Sequence, residues 1–394
     1  MRRMLAFLMA AVLLVTAAGC GSKTVPMTEP EQPTVTEPTE PAPAEPAVTA
    51  PTEAEEDEDA SPYSQQTMML AENPDSYKSI GRTYYTEMKC TGLVCAWPAS
   101  GLEFTVACEG DIQMTYTALE NGYFAVEVDG VMQPDRIRTK TLNNKTVNVV
   151  TGLPEGEHTI RIVKDSDINA AGAFTVLTSI EYFGDPATFR ATPDNQYYIE
   201  FIGDSITAGK GALMSGVYEA DDPGHSATAS YAYQFAKMLG ADYSIVARGG
   251  IGVIHRSQTL PLIMQEVYPY VNGFAKDPTE YGFERRPDLV VLALGTNDSG
   301  DGSADDFHKA MAEMITEIRT GYGEEVPILL LYNMMTGGFG AEFQPIAEEN
   351  HCFSCCATRN NDGGHSGTAK GHPSAAGHLV VAQELMEAWS TLRK

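Results

Sequence analysis

The chain has 394 residues, 43 % of them hydrophobic and 20 % charged, with a formal net charge of -27. That length accommodates two domains, each able to bury its own core. The acidic balance excludes nucleic-acid binding, because phosphate contacts need clustered Lys and Arg.

The first element in chain order is a targeting segment. Arg2 and Arg3 precede an apolar run from Met4 to Val15, and Thr16-Ala17-Ala18-Gly19-Cys20 follow. The run is short for a membrane span and has the charged, apolar and small-residue regions of a secretory signal, residues 1–19. Its end resembles a bacterial lipobox, although Ala17 stands where Leu is more usual. That resemblance implies cleavage before Cys20 and lipidation of its thiol; the alternative is plain secretion with Cys20 removed or unmodified. Residues 20–77 read as a Pro/Thr/Glu-rich linker, and residues 24–62 hold 11 Asp and Glu without one Lys or Arg. Such a composition cannot bury a core and stays extended. The expected location is extracytoplasmic, on a bacterial cell surface, with the lipid as the only link to the membrane.

Residues 78–190 are predicted to be all-β. LEFTVAC (102–108), IQMTYTAL (112–119), YFAVEVDG (123–130), KTVNVVTG (145–152), HTIRIVKD (158–165) and FTVLTSIEYFG (174–184) are β-rich runs. Gly, Asn, Asp and Pro separate them at intervals of about ten residues, the spacing of a β-sandwich. Trp97 reads as a buried side chain of this region rather than as a sugar-stacking platform.

Residues 191–394 change pattern. YYIEFIG (197–203), YSIVARGG (243–250), DLVVLALG (288–295) and VPILLLYNM (326–334) read as strands. SYAYQFAKMLG (230–240), LPLIMQEVYPYV (260–271), DDFHKAMAEMITEIRTGYG (305–323) and AAGHLVVAQELMEAWSTLRK (375–394) read as helices. The alternation predicts a parallel sheet with helices on both faces, a three-layer α/β domain. Residues 335–371 are Gly-rich and show no element by pattern; a loop of that length in a compact domain is often functional.

Six cysteines follow the targeting segment: Cys90, Cys95, Cys108, Cys352, Cys355 and Cys356. Export permits disulfides, but pairing is not readable from spacing. HCFSCC (351–356) holds four ligand-type side chains, yet Cys355 and Cys356 are adjacent and no second spaced pair exists, so disulfides or free thiols are favoured over a metal.

In open α/β sheets reactive groups gather at the carboxyl ends of the strands. Four blocks fall there: Gly203-Asp204-Ser205, the glycines 249, 250 and 252, Gly295-Thr296-Asn297-Asp298, and Gly371-His372-Pro373-Ser374 before the last helix. A serine, an imidazole, glycine amides and a side-chain amide are the parts of an acyl-transfer site. The hydroxyl must lose its proton to attack, and the tetrahedral oxyanion needs fixed N–H donors.

GDSITAG, RGGIG, GTND and GHPSAAGH, in this order, resemble the SGNH (GDSL-type) hydrolases. The resemblance implies a flavodoxin-like hydrolase domain with Ser205 as nucleophile and first oxyanion donor. It implies Gly252 as second donor, with Gly250 the competitor, Asn297 as third donor and His372 as base. His378, His351 and His365 are given no role. The family usually places an Asp three residues before the histidine; here that residue is Ala369, followed by Lys370, and the nearest candidate acid is Asp362. The site therefore resembles a Ser–His dyad whose imidazole is held by a backbone carbonyl, that of Lys370 being one candidate. The β-rich half, with CAWPASGLEFTVACEGDIQMTY and GLPEGEHTIRIVKDSD, resembles the jelly-roll domain that precedes the SGNH domain in carbohydrate esterase family 2. The family implies removal of O-acetyl groups from plant polysaccharides such as xylan and glucomannan, with no cofactor and no metal.

Overall fold

The change of pattern near residue 191 is a change of sheet. Among the described residues, strands between Ser64 and Ala191 form one antiparallel sheet of 11 strands, and those from Tyr197 onward form a parallel sheet of 5. The computed structural model describes residues 61–87, 90–167, 174–213, 224–335, 338–359 and 371–393. The signal run, Cys20, most of the linker, Asp362, His365, Ala369 and Lys370 lie outside the described residues.

Two pairs of β-rich runs fuse. LEFTVAC and IQMTYTAL lie on one strand, Gly101–Ala118, and KTVNVVTG and HTIRIVKD on another, Leu142–Lys164. The two strands pair antiparallel, with register shifts on either side of Gly110. Gly110 and Gly152 have φ of 76° and 65°, left-handed values open to a residue without Cβ. The residues that look like turns in the sequence act here as bulges, which bend a strand without ending it. Leu102, Phe104, Val106, Ile160 and Ile162 alternate along these strands and line one core inside the curled sheet.

The parallel sheet runs in the order Ala241–Ala247, Tyr197–Gly203, Leu289–Ala293, Ile328–Tyr332, Phe353–Cys356. Helix Ala304–Tyr322 packs Phe307, Met311 and Ile315 against Ile202, Leu292 and Leu330 on one face. Helices Tyr231–Leu239 and Ala375–Leu392 pack Phe235 and Leu385 against Phe201, Val291 and Leu329 on the other. Burial on both faces is why these strands read as continuous apolar runs.

Three expectations need correction. The end of the stretch read as linker, 20–77, belongs to the β-rich half: strand Ser64–Met69 pairs antiparallel with Thr175–Gly184, and Leu70 and Tyr77 join its core. The helix expected over 260–271 is a single turn, Met264–Val267; Pro269 has no N–H with which to continue it. The stretch 335–371 is not structureless, since it holds helix Phe343–Glu349 and the fifth strand, Phe353–Cys356. That strand pairs with Leu329–Tyr332 over only four residues, too few to show a period in sequence. All six cysteines named above are free thiols, and no group of three or more His, Cys, Asp or Glu among the described residues could hold a metal. Trp97 is buried against Phe274, with ring centroids 5.6 Å apart.

Candidate active site

Strand Tyr197–Gly203, second in the parallel sheet, delivers Asp204 and Ser205 to its carboxyl end. The chain then turns tightly: Ala208 N–H bonds the Asp204 carbonyl at 3.0 Å and Lys210 N–H the Ser205 carbonyl at 2.9 Å. Asp204 caps this turn, Oδ1 accepting from Ile206 N–H at 2.9 Å. Gly203 is required by close approach, because a Cβ there would lie 2.0 Å from Thr207 Oγ1.

His372 comes from the opposite end of the chain. Ser374 caps helix Ala375–Leu392 through Gly377 N–H, and Ala375 N–H bonds the Ala212 carbonyl at 2.9 Å. The helix start is thereby fastened to the segment that follows the nucleophile. The result is a distance of 2.7 Å between His372 Nε2 and Ser205 Oγ, with both residues buried. With the imidazole proton on Nδ1, the serine hydroxyl donates to Nε2, the arrangement that lets the ring take the proton during attack.

The other two blocks close around this pair. Asn297 Nδ2 donates to the Ile251 carbonyl at 2.8 Å and, more weakly, to Asp204 Oδ2 at 3.3 Å. Gly252 abuts Asp298, where a Cβ would meet Oδ1 at 2.3 Å; that oxygen is held by Ile254 and His255 N–H at 2.7 and 2.9 Å. Within the glycine loop, Gly249 N–H is taken by Asp167 Oδ2 at 2.9 Å. The N–H groups of Ser205, Gly250 and Gly252 make no hydrogen bond among the described residues. Asp204 is fully buried and its carboxyl is pushed up to about 7. Burial is the main cause, the carboxylates of Asp298 and Asp167 add to it, and Ile206 N–H and the Thr296 hydroxyl pull the other way.

Ser205, His372, Asn297 and Gly252 thus converge, whereas Asp362 and Lys370 lie outside the described residues. His378 is fully buried and accepts Tyr231 N–H through Nδ1 at 3.2 Å; His351 is exposed in the loop. Sequence reading missed Asp167, which sits in the β-rich half and reaches the site only through tertiary packing. Its one trace in the sequence is a pair of aspartates, Lys164-Asp165-Ser166-Asp167, at the end of a strand.

Both sheets fall within regions similar to known protein families. Residues 201–380 match the GDSL-like Lipase/Acylhydrolase family, and residues 79–180 match Carbohydrate esterase 2 N-terminal. The cellulase/esterase CelE of Acetivibrio thermocellus is 28 % identical over 325 residues, covering 75 % of this chain and 37 % of that protein. The chain therefore spans well under half the length of that relative. An acetylxylan esterase / glucomannan deacetylase of Cellvibrio japonicus is 25 % identical over 342 residues, 81 % of this chain and 89 % of the relative. Among solved structures, a family two carbohydrate esterase from Cellvibrio japonicus superposes with a TM-score of 0.72 at 20 % identity, covering 84 % of this chain and 98 % of the other. One from Clostridium thermocellum, in complex with cellohexaose, superposes with a TM-score of 0.69 at 23 % identity, covering 80 % and 99 %. The two family matches fall in this order on the two sheets, so the chain carries a GDSL-like hydrolase domain preceded by a domain similar to Carbohydrate esterase 2 N-terminal, and the relatives that span both are carbohydrate esterases.

Proposed function

We propose that this chain is a carbohydrate O-acetylesterase that removes acetyl groups from plant polysaccharides such as xylan and glucomannan. The observation that carries the reading is the 2.7 Å contact of Ser205 Oγ with His372 Nε2 beside unbonded backbone amides. Ser205 attacks the acetyl carbonyl while His372 takes its proton. The N–H groups of Ser205 and Gly252 hold the oxyanion, joined by the Asn297 amide as it exchanges its long 3.3 Å bond to Asp204 Oδ2 for the developing charge. The sugar hydroxyl leaves with the proton from His372, and water then cleaves the acetyl-enzyme to acetate. The chemistry asks for no metal or organic cofactor. The imidazole is oriented by a backbone carbonyl, Lys370 being the candidate, because Ala369 occupies the usual carboxylate position. A relative named as acetylxylan esterase / glucomannan deacetylase and neighbours crystallised with cellohexaose support a carbohydrate substrate.

Acetate release from acetylated xylan and glucomannan, alongside turnover of p-nitrophenyl esters of increasing chain length, tests the reading. The expected result is release from the polysaccharides and a preference for acetyl, with Ser205→Ala inactive but folded. A preference for long acyl chains would point to a lipase or thioesterase, and binding without turnover to a carbohydrate-binding surface protein. The N-terminal reading is tested separately. Intact-mass analysis of the mature protein is expected to find a lipid on Cys20 as first residue, and an unmodified or absent Cys20 would refute the anchor.

A further inference from the structure

The site receives a contribution from outside the parallel-sheet domain. Strand Leu142–Lys164 of the antiparallel sheet runs out into Asp165-Ser166-Asp167, and both aspartates grip segments that flank Ser205. Asp165 Oδ1, fully buried, accepts from Thr228 N–H at 2.8 Å, the Thr228 hydroxyl at 2.9 Å and the Ser226 hydroxyl at 3.0 Å. Ser226 N–H in turn bonds the Gly209 carbonyl at 3.0 Å, just beyond the nucleophile turn. Asp167 is 4 % exposed, and its Oδ2 accepts Gly249 N–H at 2.9 Å. Gly249 lies against the nucleophile: a Cβ there would sit 3.6 Å from Ser205 Cβ and 2.7 Å from Asp167 Oδ2. The strand end is itself fixed by the buried Lys164, whose Nζ bonds the Asp167 carbonyl at 3.2 Å and Glu120 Oε1 at 3.1 Å.

We propose that Asp167 is a positioning residue for Ser205 chemistry, acting through the Gly249 amide; the proposal rests on the esterase reading above. A carboxylate–amide bond is stronger than a neutral one. By engaging Gly249 N–H it sets the rotation of the loop 248–252, and so the direction of the unbonded amides of Gly250 and Gly252. Oxyanion donors act only within roughly 2.7–3.1 Å of the developing charge. The negative charge of Asp167 is offset locally by the Arg248 guanidinium. The consequence is that the hydrolase domain cannot assemble a competent site alone. The antiparallel sheet supplies the acceptor that orients the second oxyanion loop.

Asp167→Ala and Asp167→Asn in the full chain test this, with kcat and KM for p-nitrophenyl acetate, the rate of Ser205 labelling by a fluorophosphonate, and Tm. Labelling forms an Oγ–P bond and releases fluoride, with the serine proton passing to His372, so it reads nucleophile and oxyanion loop without the natural ester. Asp167→Ala is expected to lower kcat and the labelling rate about 10- to 100-fold, with KM within about threefold, the scale of a misplaced catalytic loop. Asp167→Asn keeps an acceptor oxygen for Gly249 and should recover both rates to within about threefold of wild type. Gly249→Ala probes the same contact from the other side, with the same loss of kcat expected, and scores the proposal should Asp167→Ala not fold. Wild-type rates in Asp167→Ala, or in Gly249→Ala, overturn the proposal, as does Asp167→Asn being as impaired as Asp167→Ala. A wild type that labels at Ser205 but spares acetyl esters sinks the esterase reading alone, and the labelling rates then still decide on Asp167. A wild type that does not label overturns both.

Discussion

Asp204 stands next to Ser205, the proposed nucleophile, and holds its proton to a higher pH than an exposed aspartate does. Its carboxyl is pushed up from 3.8 to about 7, chiefly by burial. A group with a raised folded-state value stabilises the native state fully below its unfolded value and loses that contribution as pH rises through the folded value. Asp204 should therefore stabilise the fold in acid and progressively less as pH rises from about 4 through about 7. Asp204→Asn keeps an acceptor for Ile206 N–H and cannot ionise. The Tm difference between variant and wild type should therefore shift in the variant's favour across that range. A difference independent of pH would show that Asp204 titrates at its ordinary value. Nothing in the string Gly-Asp-Ser announces this shift, because burial and the neighbouring carboxylates of Asp298 and Asp167 arise only when distant segments pack.

At the scale of elements, the last helix and the loop before it position His372, the proposed base. Ser374 as N-cap and the hydrogen bond from Ala375 to Ala212 set where His372 emerges. His372→Ala should lower kcat by about three orders of magnitude or more, as loss of a triad base does. Asp362→Asn should change kcat by less than about tenfold, because its place in the sequence does not tie it to the ring and a backbone carbonyl is already local. Steady-state kinetics on p-nitrophenyl acetate separates the two, and a loss of about three orders in Asp362→Asn would make this a triad with an acid from an unusual position. Four strands of the parallel sheet and the three longer helices were legible because apolar patterning is a local property sustained over many residues. Strand Phe353–Cys356 was not, because its hydrogen bonds to Leu329–Tyr332 define it and its own four residues do not. The merging of β runs across Gly110 was hidden for a related reason: the same residue makes a turn or a bulge according to what lies on the partner strand.

At the scale of the whole molecule, the two sheets are fastened by a buried ion pair. Arg82, from the β-rich half, donates through Nη2 to Glu200 Oε1 at 3.0 Å, and neither side chain is exposed. Arg82 Nη1 also bonds the Tyr268 and Tyr270 carbonyls, and the guanidinium lies 3.9 Å from the Tyr281 ring centroid. Glu200 is on the nucleophile strand and accepts the Tyr268 hydroxyl at 2.7 Å and the Tyr322 hydroxyl at 3.2 Å. Arg82→Ala would leave Glu200 buried without its counter-charge and should cost ~3–5 kcal/mol in urea unfolding. The double variant Arg82→Met/Glu200→Gln should lose less than that single change; a larger loss would mean that packing rather than charge pairing dominates the contact.

The sequence by itself determined where the candidate residues of the hydrolase domain stand. Short blocks at strand ends prescribe local backbone, and an alternating βα chain brings strand ends to one edge of its sheet whatever the loops do. It also determined the division into an all-β half and an α/β half, since each is a matter of period. Only the tertiary structure decided what the β half does for the site. Asp167 is 38 residues before Ser205 and 82 before Gly249, just past a strand whose own pattern serves another core. The interaction exists because two independently patterned sheets pack at one place, and no periodicity within either records where that place is.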